Sequence, residues 1–103
     1  DNPFIRKLTA ACCVYNGYGK SVGLMQIEEL GALETPIALT GTLNVGKISD
    51  AMISYMQSIC RPAGVRVASV NPAVCECNDG RFNDLDDRPC GEAELMAAVA
   101  DAR

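Results

Sequence analysis

The chain has 103 residues, 49% hydrophobic and 21% charged, with no tryptophan, no histidine and a formal net charge of −4. This composition suits one globular domain over residues 1–103 rather than a disordered tail, and nine Lys/Arg scattered among thirteen Asp/Glu leave no cationic stripe to neutralise nucleic-acid phosphates. No apolar run approaches the ~20 residues of a membrane-spanning helix and no secretory leader opens the sequence, so the expectation is a cytoplasmic protein with no nucleic-acid and no membrane partner.

Residues 5–15, IRKLTAACCVY, combine β-formers with small residues and read as a first strand. Asn16-Gly17-Tyr18-Gly19 follows as a turn, because Asn and Gly tolerate positive φ. SVGLMQIEEL, residues 21–30, is read as a second strand, paired with the first in a hairpin. Gly23 within it marks a bulge or a close backbone approach. After a connection over 31–36, Pro36 to Thr40 reads as a short strand. Val45, Ile48, Met52, Tyr55/Met56 and Ile59 then recur at helical spacing, with Asn44 as N-cap and Pro62 and Gly64 as the stop. Val65 to Val70 is expected to be a strand, with Arg66 facing away from Val65 and Val67. Pro72 is expected to confine Ala73 to Cys77 to an irregular or edge strand. Residues 78–91 are rich in turn formers. Glu92 to Arg103 closes the chain as a helix whose acidic first turn and final arginine suit its dipole. The order β-β-β-α-β-(β)-α, with a strand–helix–strand unit over 36–77, implies α/β layers: a mixed sheet with helices on a face.

Six cysteines and no histidine narrow the chemistry. Cys12 and Cys13 are neighbours, and Cys75 and Cys77 flank Glu76, so the spacing is not that of a disulfide framework. No Cys-x-x-Cys pair or histidine is present for a structural zinc, and no metal is expected. The expectation is free, buried cysteines acting as small apolar residues; one disulfide, or a redox pair of Cys75 and Cys77, are the alternatives. Without histidine, Ser-His-Asp and Cys-His catalysis cannot be assembled from this chain.

Three polar stretches remain as candidates. Gly19-Lys20-Ser21 resembles the end of a phosphate loop, but Val14 stands where the first glycine must be and no helix is expected next, so it reads as a hairpin turn. Glu28, Glu29 and Glu34 form an acidic group near a strand end, either an acid–base pair or a solvated rim. Thr40, Gly41 and Thr42 sit between strand and helix, where hydroxyls and N–H groups could hold an anion or a carbonyl, or simply cap the helix. In PAVCECNDGRFND, residues 72–84, Cys75 and Cys77 are expected to face the core and Glu76 the opposite side. Glu76, with Asn78 and Asp79, could then receive a substrate ammonium; the alternative is a solvated Glu76 beside an Asx turn.

Taken together, NGYGKSVGLMQIEELGALETPIALTGTLNVGKISDAM and SVNPAVCECNDGRFNDLDDRPCGEAELMAA resemble the DmpA-like L-aminopeptidase/D-esterase family, which includes the β-peptidyl aminopeptidases. The resemblance implies that this chain forms part of an αββα sandwich related to the N-terminal-nucleophile hydrolases. It further implies a precursor that cleaves itself before a serine, which becomes the nucleophile, and hydrolysis of N-terminal residues from peptides, amides or esters without cofactor or metal. The match corresponds to a middle portion of the family's larger subunit. Asp1 in place of a methionine agrees with processing or with an excerpt of something longer. No catalytic residue is expected in this chain, because the nucleophile would lie in sequence beyond Arg103, so the chain alone is expected to be inactive. Glu76 corresponds to the carboxylate facing the substrate's amino group. Asn78 stands where some members have a tyrosine, and Gly41 departs from the family's Thr-Asn-Thr. The implied partners are the remainder of such a subunit, an aminoacyl or peptide substrate, and further copies of the chain, since an isolated piece leaves sheet edges open. The competing reading is a free-standing oligomeric α/β binding or assembly module derived from the family.

Overall fold

The computed structural model describes residues 2–102. In chain order its elements are β1 (Leu8–Thr9), β2 (Ser21–Val22), α1 (Leu24–Leu30), β3 (Ala32–Leu33), β4 (Ile37–Thr40), α2 (Val45–Cys60), β5 (Ala73–Glu76) and α3 (Glu92–Asp101). Short 3-10 turns cover Thr42–Asn44 and Arg61–Ala63.

The helical periodicity from Val45 onward produces α2, and its apolar face makes the main core. Met52 and Met56 are completely buried, joined by Val45, Ile48, Ala51, Val74 of β5 and Leu95 of α3. Burying side chains of this size stabilises by roughly 1.5–3 kcal/mol each. Strand β5 is the middle of a three-stranded sheet ordered β2-β5-β4. It runs antiparallel to β2, with Val22 opposite Val74, and parallel to β4, with Ile37 beside Ala73 and Thr40 beside Glu76. The expected strand–helix–strand unit is therefore β4–α2–β5. Alternation along β5 sends Val74 into the α2–α3 layer and Ala73 to the opposite face. There Ala73 joins a smaller cluster with Ile27 of α1 and Leu33 of β3. Strand β1 pairs antiparallel with β3.

Several expectations are corrected. Residues 5–15 do not form a long strand: only Leu8 and Thr9 enter a ladder, and Ile5, Val14 and Tyr15 are exposed. The hairpin is absent, because β1 and β2 find different partners. Residues 24–30 are helical, since Gly23 in the left-handed region (φ 86°) ends β2 and turns the chain. The residues after it, Leu-Met-Gln-Ile-Glu-Glu-Leu, are mostly strong helix formers. The expected close approach at Gly23 is present: a Cβ there would lie 2.2 Å from the Pro72 carbonyl oxygen. Pro72 does not push β5 to an edge, because it precedes the strand and its missing N–H is not needed in the ladder. Val65 to Ala68 alternate in burial, but Val65 to Val70 joins no sheet. Asn44 stands at the N-cap position of α2 without a side-chain capping bond. With its amide nitrogen turned toward the loop, it donates to the carbonyls of Arg88 and Cys90 at 3.3 Å each. Helix α2 ends as expected, through the turn at Pro62 and left-handed Gly64. Arg103, expected to complement the dipole of α3, lies outside the described residues.

The entrance to β5 is fixed by Glu34 and Thr35, which are 3% and 1% exposed. Glu34 Oε1 accepts from the Asn71 backbone N–H (2.7 Å) and side-chain Nδ2 (2.9 Å), and Oε2 accepts from Lys7 Nζ (2.9 Å). Thr35 Oγ1 accepts from the N–H of Ala73 at 3.0 Å. Glu34 is thus not part of a solvated acidic rim; Glu28 and Glu29 remain exposed on α1. Burial raises the Glu34 pKa, but the bonds from Lys7 and Asn71 outweigh it and hold the carboxyl below its ordinary value of 4.5. A carboxylate depressed in the folded state contributes stability above its unfolded pKa, and that contribution disappears as pH falls through the folded pKa. Glu34→Gln should therefore lower unfolding free energy by about 1–3 kcal/mol at pH 7. The difference from the unmodified chain should shrink toward zero below the ordinary carboxylate range, as urea denaturation at pH 7 and at acid pH would show.

Candidate functional site

The C-terminal ends of parallel strands β4 and β5 lie side by side, and the chain leaves β4 toward the start of α2. Ligand sites collect at such strand ends because the diverging connections leave a crevice there. Thr40 is opposite Glu76 in the ladder, and the Thr40 carbonyl accepts from Cys77 N–H at 2.7 Å. Gly41 leads into the 3-10 turn that begins at Thr42.

Glu76 is the centre of this end. Its Oε1 accepts from Thr42 Oγ1 at 2.9 Å. Its Oε2 accepts from the Lys20 backbone N–H at 2.8 Å and from Lys20 Nζ at 3.4 Å. In return the Glu76 N–H donates to the Lys20 carbonyl at 3.0 Å, so the antiparallel partner strand fixes the backbone donor. The Glu76 side chain is 10% exposed and that of Lys20 59%. The Lys20 N–H first, then the Thr42 hydroxyl, lower the Glu76 pKa below 4.5, with the Lys20 ammonium adding to them. The carboxylate is ionised at neutral pH and held in one orientation.

Glu76, Thr40, Gly41 and Thr42 are therefore brought together. Asn78 does not join them: it is exposed, and its Oδ1 accepts from the Gly80 N–H at 3.1 Å in an Asx-type turn. Thr42 does not act as a simple helix cap, since its hydroxyl is committed to Glu76. Asp79 anchors the following loop, accepting from Asn83 Nδ2 through Oδ2 and from the N–H groups of Phe82 and Asn83 through its carbonyl. Its Oδ1 is buried with no donor, and a Cβ on residue 41 would stand 3.2 Å from it. The absence of a side chain at Gly41 is thus felt at the edge of the site.

The expected facing of the cysteines is inverted. Glu76 shares the sheet face of buried Val74, at the point where that face opens toward the Thr42 turn, while Cys75 is half-buried and Cys77 exposed. All six cysteines are free, and Cys60 alone is buried. Among the described residues no group of three or more His, Cys, Asp or Glu is arranged to hold a metal ion, and no helix is long and apolar enough to cross a membrane. No local signal in the sequence ties Lys20 to Glu76. Lys20 is 56 positions from Glu76, and only the β2–β5 pairing brings the two together.

The hydrogen bonds to Glu76 have a measurable signature. Thr42→Val removes the Oε1 donor while keeping side-chain volume, so the Glu76 carboxyl should titrate closer to 4.5. Carboxyl-detected NMR titration of the two proteins reads this directly; an unchanged Glu76 titration would contradict the assigned bond.

The sequence profile of peptidase family S58 matches residues 1–103. The β-peptidyl aminopeptidase BapA of Sphingosinicella xenopeptidilytica is 31% identical over 96 residues, 93% of this chain and 24% of BapA. The crystal structure of the PH0078 protein from Pyrococcus horikoshii OT3 superposes with a TM-score of 0.91 at 40% identity, covering 100% of this chain and 29% of that one. The L-aminopeptidase D-Ala-esterase/amidase of Ochrobactrum anthropi, described as a variant of the Ntn hydrolase fold, superposes with a TM-score of 0.82 at 26% identity, covering 91% of this chain and 26% of that one. The chain thus spans about a quarter of the length of these proteins, and its mixed α/β architecture is a portion of their fold. Matched along its whole length and alike in both sequence and backbone, it belongs to peptidase family S58.

Proposed function

We propose that this chain supplies the amine-recognising part of an S58 aminopeptidase that hydrolyses N-terminal residues from peptides, amides or esters. The observation that carries this reading is the Glu76 carboxylate, ionised, oriented by Thr42 and the Lys20 N–H, and set at the crevice end of two parallel strands. A carboxylate so held can accept the ammonium of a substrate's N-terminal residue through a charge-assisted hydrogen bond. Fixing the ammonium fixes the adjacent acyl carbon, the positioning that attack by a nucleophile requires. Thr40, Gly41 and Thr42 form the edge of the site in this reading, and Asn78, turned into its own loop, takes no part. The nucleophile, a serine freed at a new N-terminus, belongs to polypeptide outside this chain, as do its assisting groups. No metal or cofactor enters the reaction in this reading.

A second reading, an assembly module, is favoured by a separate observation. Strand β4 is an edge strand, and its Ile37 and Leu39 are 64% and 66% exposed. A largely apolar groove of about 440 Å³ runs between β4, α2 and α3, lined in part by Ile48, Leu95 and Val99. Unpaired edges with apolar flanks promote association, so copies of the chain are proposed to associate, or the rest of the subunit to cover this face.

Two measurements test these readings. The purified chain should not turn over aminoacyl p-nitroanilides, whereas Glu76→Gln in a complete polypeptide containing this segment should raise KM by roughly tenfold or more, the loss expected on removing a charged hydrogen-bond partner. Turnover by the chain itself, abolished by Glu76→Gln, would overturn the placement of the nucleophile. Light scattering of the chain should show mass rising with concentration; a monomer throughout would overturn association of copies.

A further inference from the structure

We propose that Lys20 determines which N-terminal residues the Glu76 site accepts: its ammonium must yield Glu76 to the incoming substrate ammonium, and then stands beside the bound residue as a selecting cation. This rests on the reading of Glu76 as the amine acceptor.

The donors on Glu76 are unequal. Thr42 Oγ1 and the Lys20 backbone N–H are short, at 2.9 and 2.8 Å, and are held by the fold. The Lys20 Nζ contact is longer, at 3.4 Å, and ends a flexible side chain that is 59% exposed. Exposed ion pairs on long stems are weakly held, so this donor is the one that exchanges. It is also the only one of the three that comes from a side chain open to solvent at 59% exposure, so its place is the one an incoming ammonium can take without disturbing the backbone. Two ammonium groups on one carboxylate oxygen repel each other, so occupancy by the substrate expels Lys20 Nζ.

The expelled cation does not leave the site. The Lys20 N–H remains on Glu76 Oε2, and the Lys20 carbonyl still accepts from the Glu76 N–H. The ammonium therefore stays within its four-carbon stem of the bound residue. A tethered cation this close acts on the substrate side chain through its charge. It attracts an acidic side chain, is indifferent to a small neutral one and repels a basic one.

The test uses three defined probes on the intact chain: the α-amides of L-glutamic acid, L-alanine and L-lysine, titrated while the amides of Lys20, Thr42 and Glu76 are followed by two-dimensional NMR. The expected order of affinity is glutamic acid, alanine, lysine, with about threefold between steps, the scale of an exposed charge pair. Lys20→Met, which keeps the backbone donor, should tighten alanine amide about threefold and remove the ranking. Lys20→Glu should invert it, and added salt should compress the differences in the unmodified chain. A ranking unchanged in Lys20→Met overturns the role of Lys20. If Glu76→Gln abolishes binding in that same experiment, the reading of Glu76 stands alone. If Glu76→Gln binds all three probes as the unmodified chain does, or no protein binds any probe, both readings fall.

Discussion

Strand β5 is four residues long and is hydrogen-bonded along both edges, antiparallel to β2 on one side and parallel to β4 on the other. That two-sided pairing is the constraint on which the rest depends. It places Val74 under α2 and Ala73 over the Ile27–Leu33 cluster in consecutive residues, so a single strand closes both apolar clusters. It also restricts the register, because a slip by one position would turn Val74 away from α2 and put the smaller Ala73 or Cys75 in its place. The entrance of the strand is tied by Glu34 and Thr35 and its exit by the Thr40 carbonyl and the Lys20 backbone. A short strand gains little from its own ladder, and these end contacts hold it in place.

The same pairing assembles the candidate site. Glu76 is the last residue of β5, where the ladder with Lys20 ends and the chain leaving β4 brings Thr42 across. Backbone and hydroxyl donors on a carboxylate cost no rearrangement when a cation arrives, which is the advantage of donors preset by secondary structure. Glu34 shows the contrasting use of the same side chain. It is more deeply buried, its oxygens are all taken by Asn71 and Lys7, and its role is to fasten one segment to another. Both glutamates have lowered pKa values and an exposed lysine partner, but Glu34 lies at the entrance of β5 and Glu76 at its crevice end.

The chain spans about a quarter of its S58 relatives, and one flank of its sheet is open. One face of the sheet is covered by α2 and α3, whereas Ile37 and Leu39 on the other side of β4 meet solvent. Monomeric proteins seldom leave an edge strand with two adjacent outward apolar side chains uncovered. The exposed flank lies on β4, the strand paired in parallel with the one that carries Glu76.

The sequence by itself determined helix α2, its end at Pro62 and Gly64, helix α3, strand β4 and the close approach at Gly23, because each rests on local periodicity or on a backbone conformation open to few residue types. It also marked Glu76, Asn78 and the Thr40–Thr42 turn as candidates, first from their local chemistry and then from the resemblance of whole blocks; the structure brings Glu76 and the turn together and leaves Asn78 apart. Local pattern misplaced residues 5–15 and 24–30, where apolar residues without a decisive period fit strand and helix alike and long-range packing chose. It gave β5 to an edge because proline inside a strand is unfavourable, yet Pro72 falls one residue before the ladder. Only the tertiary structure decided which strand lies in the middle, which face Glu76 shares and that Lys20 reaches it. Those are matters of register between segments far apart in the chain, and register is set by the burial of Val74 and Ala73 together, which no local stretch of sequence encodes.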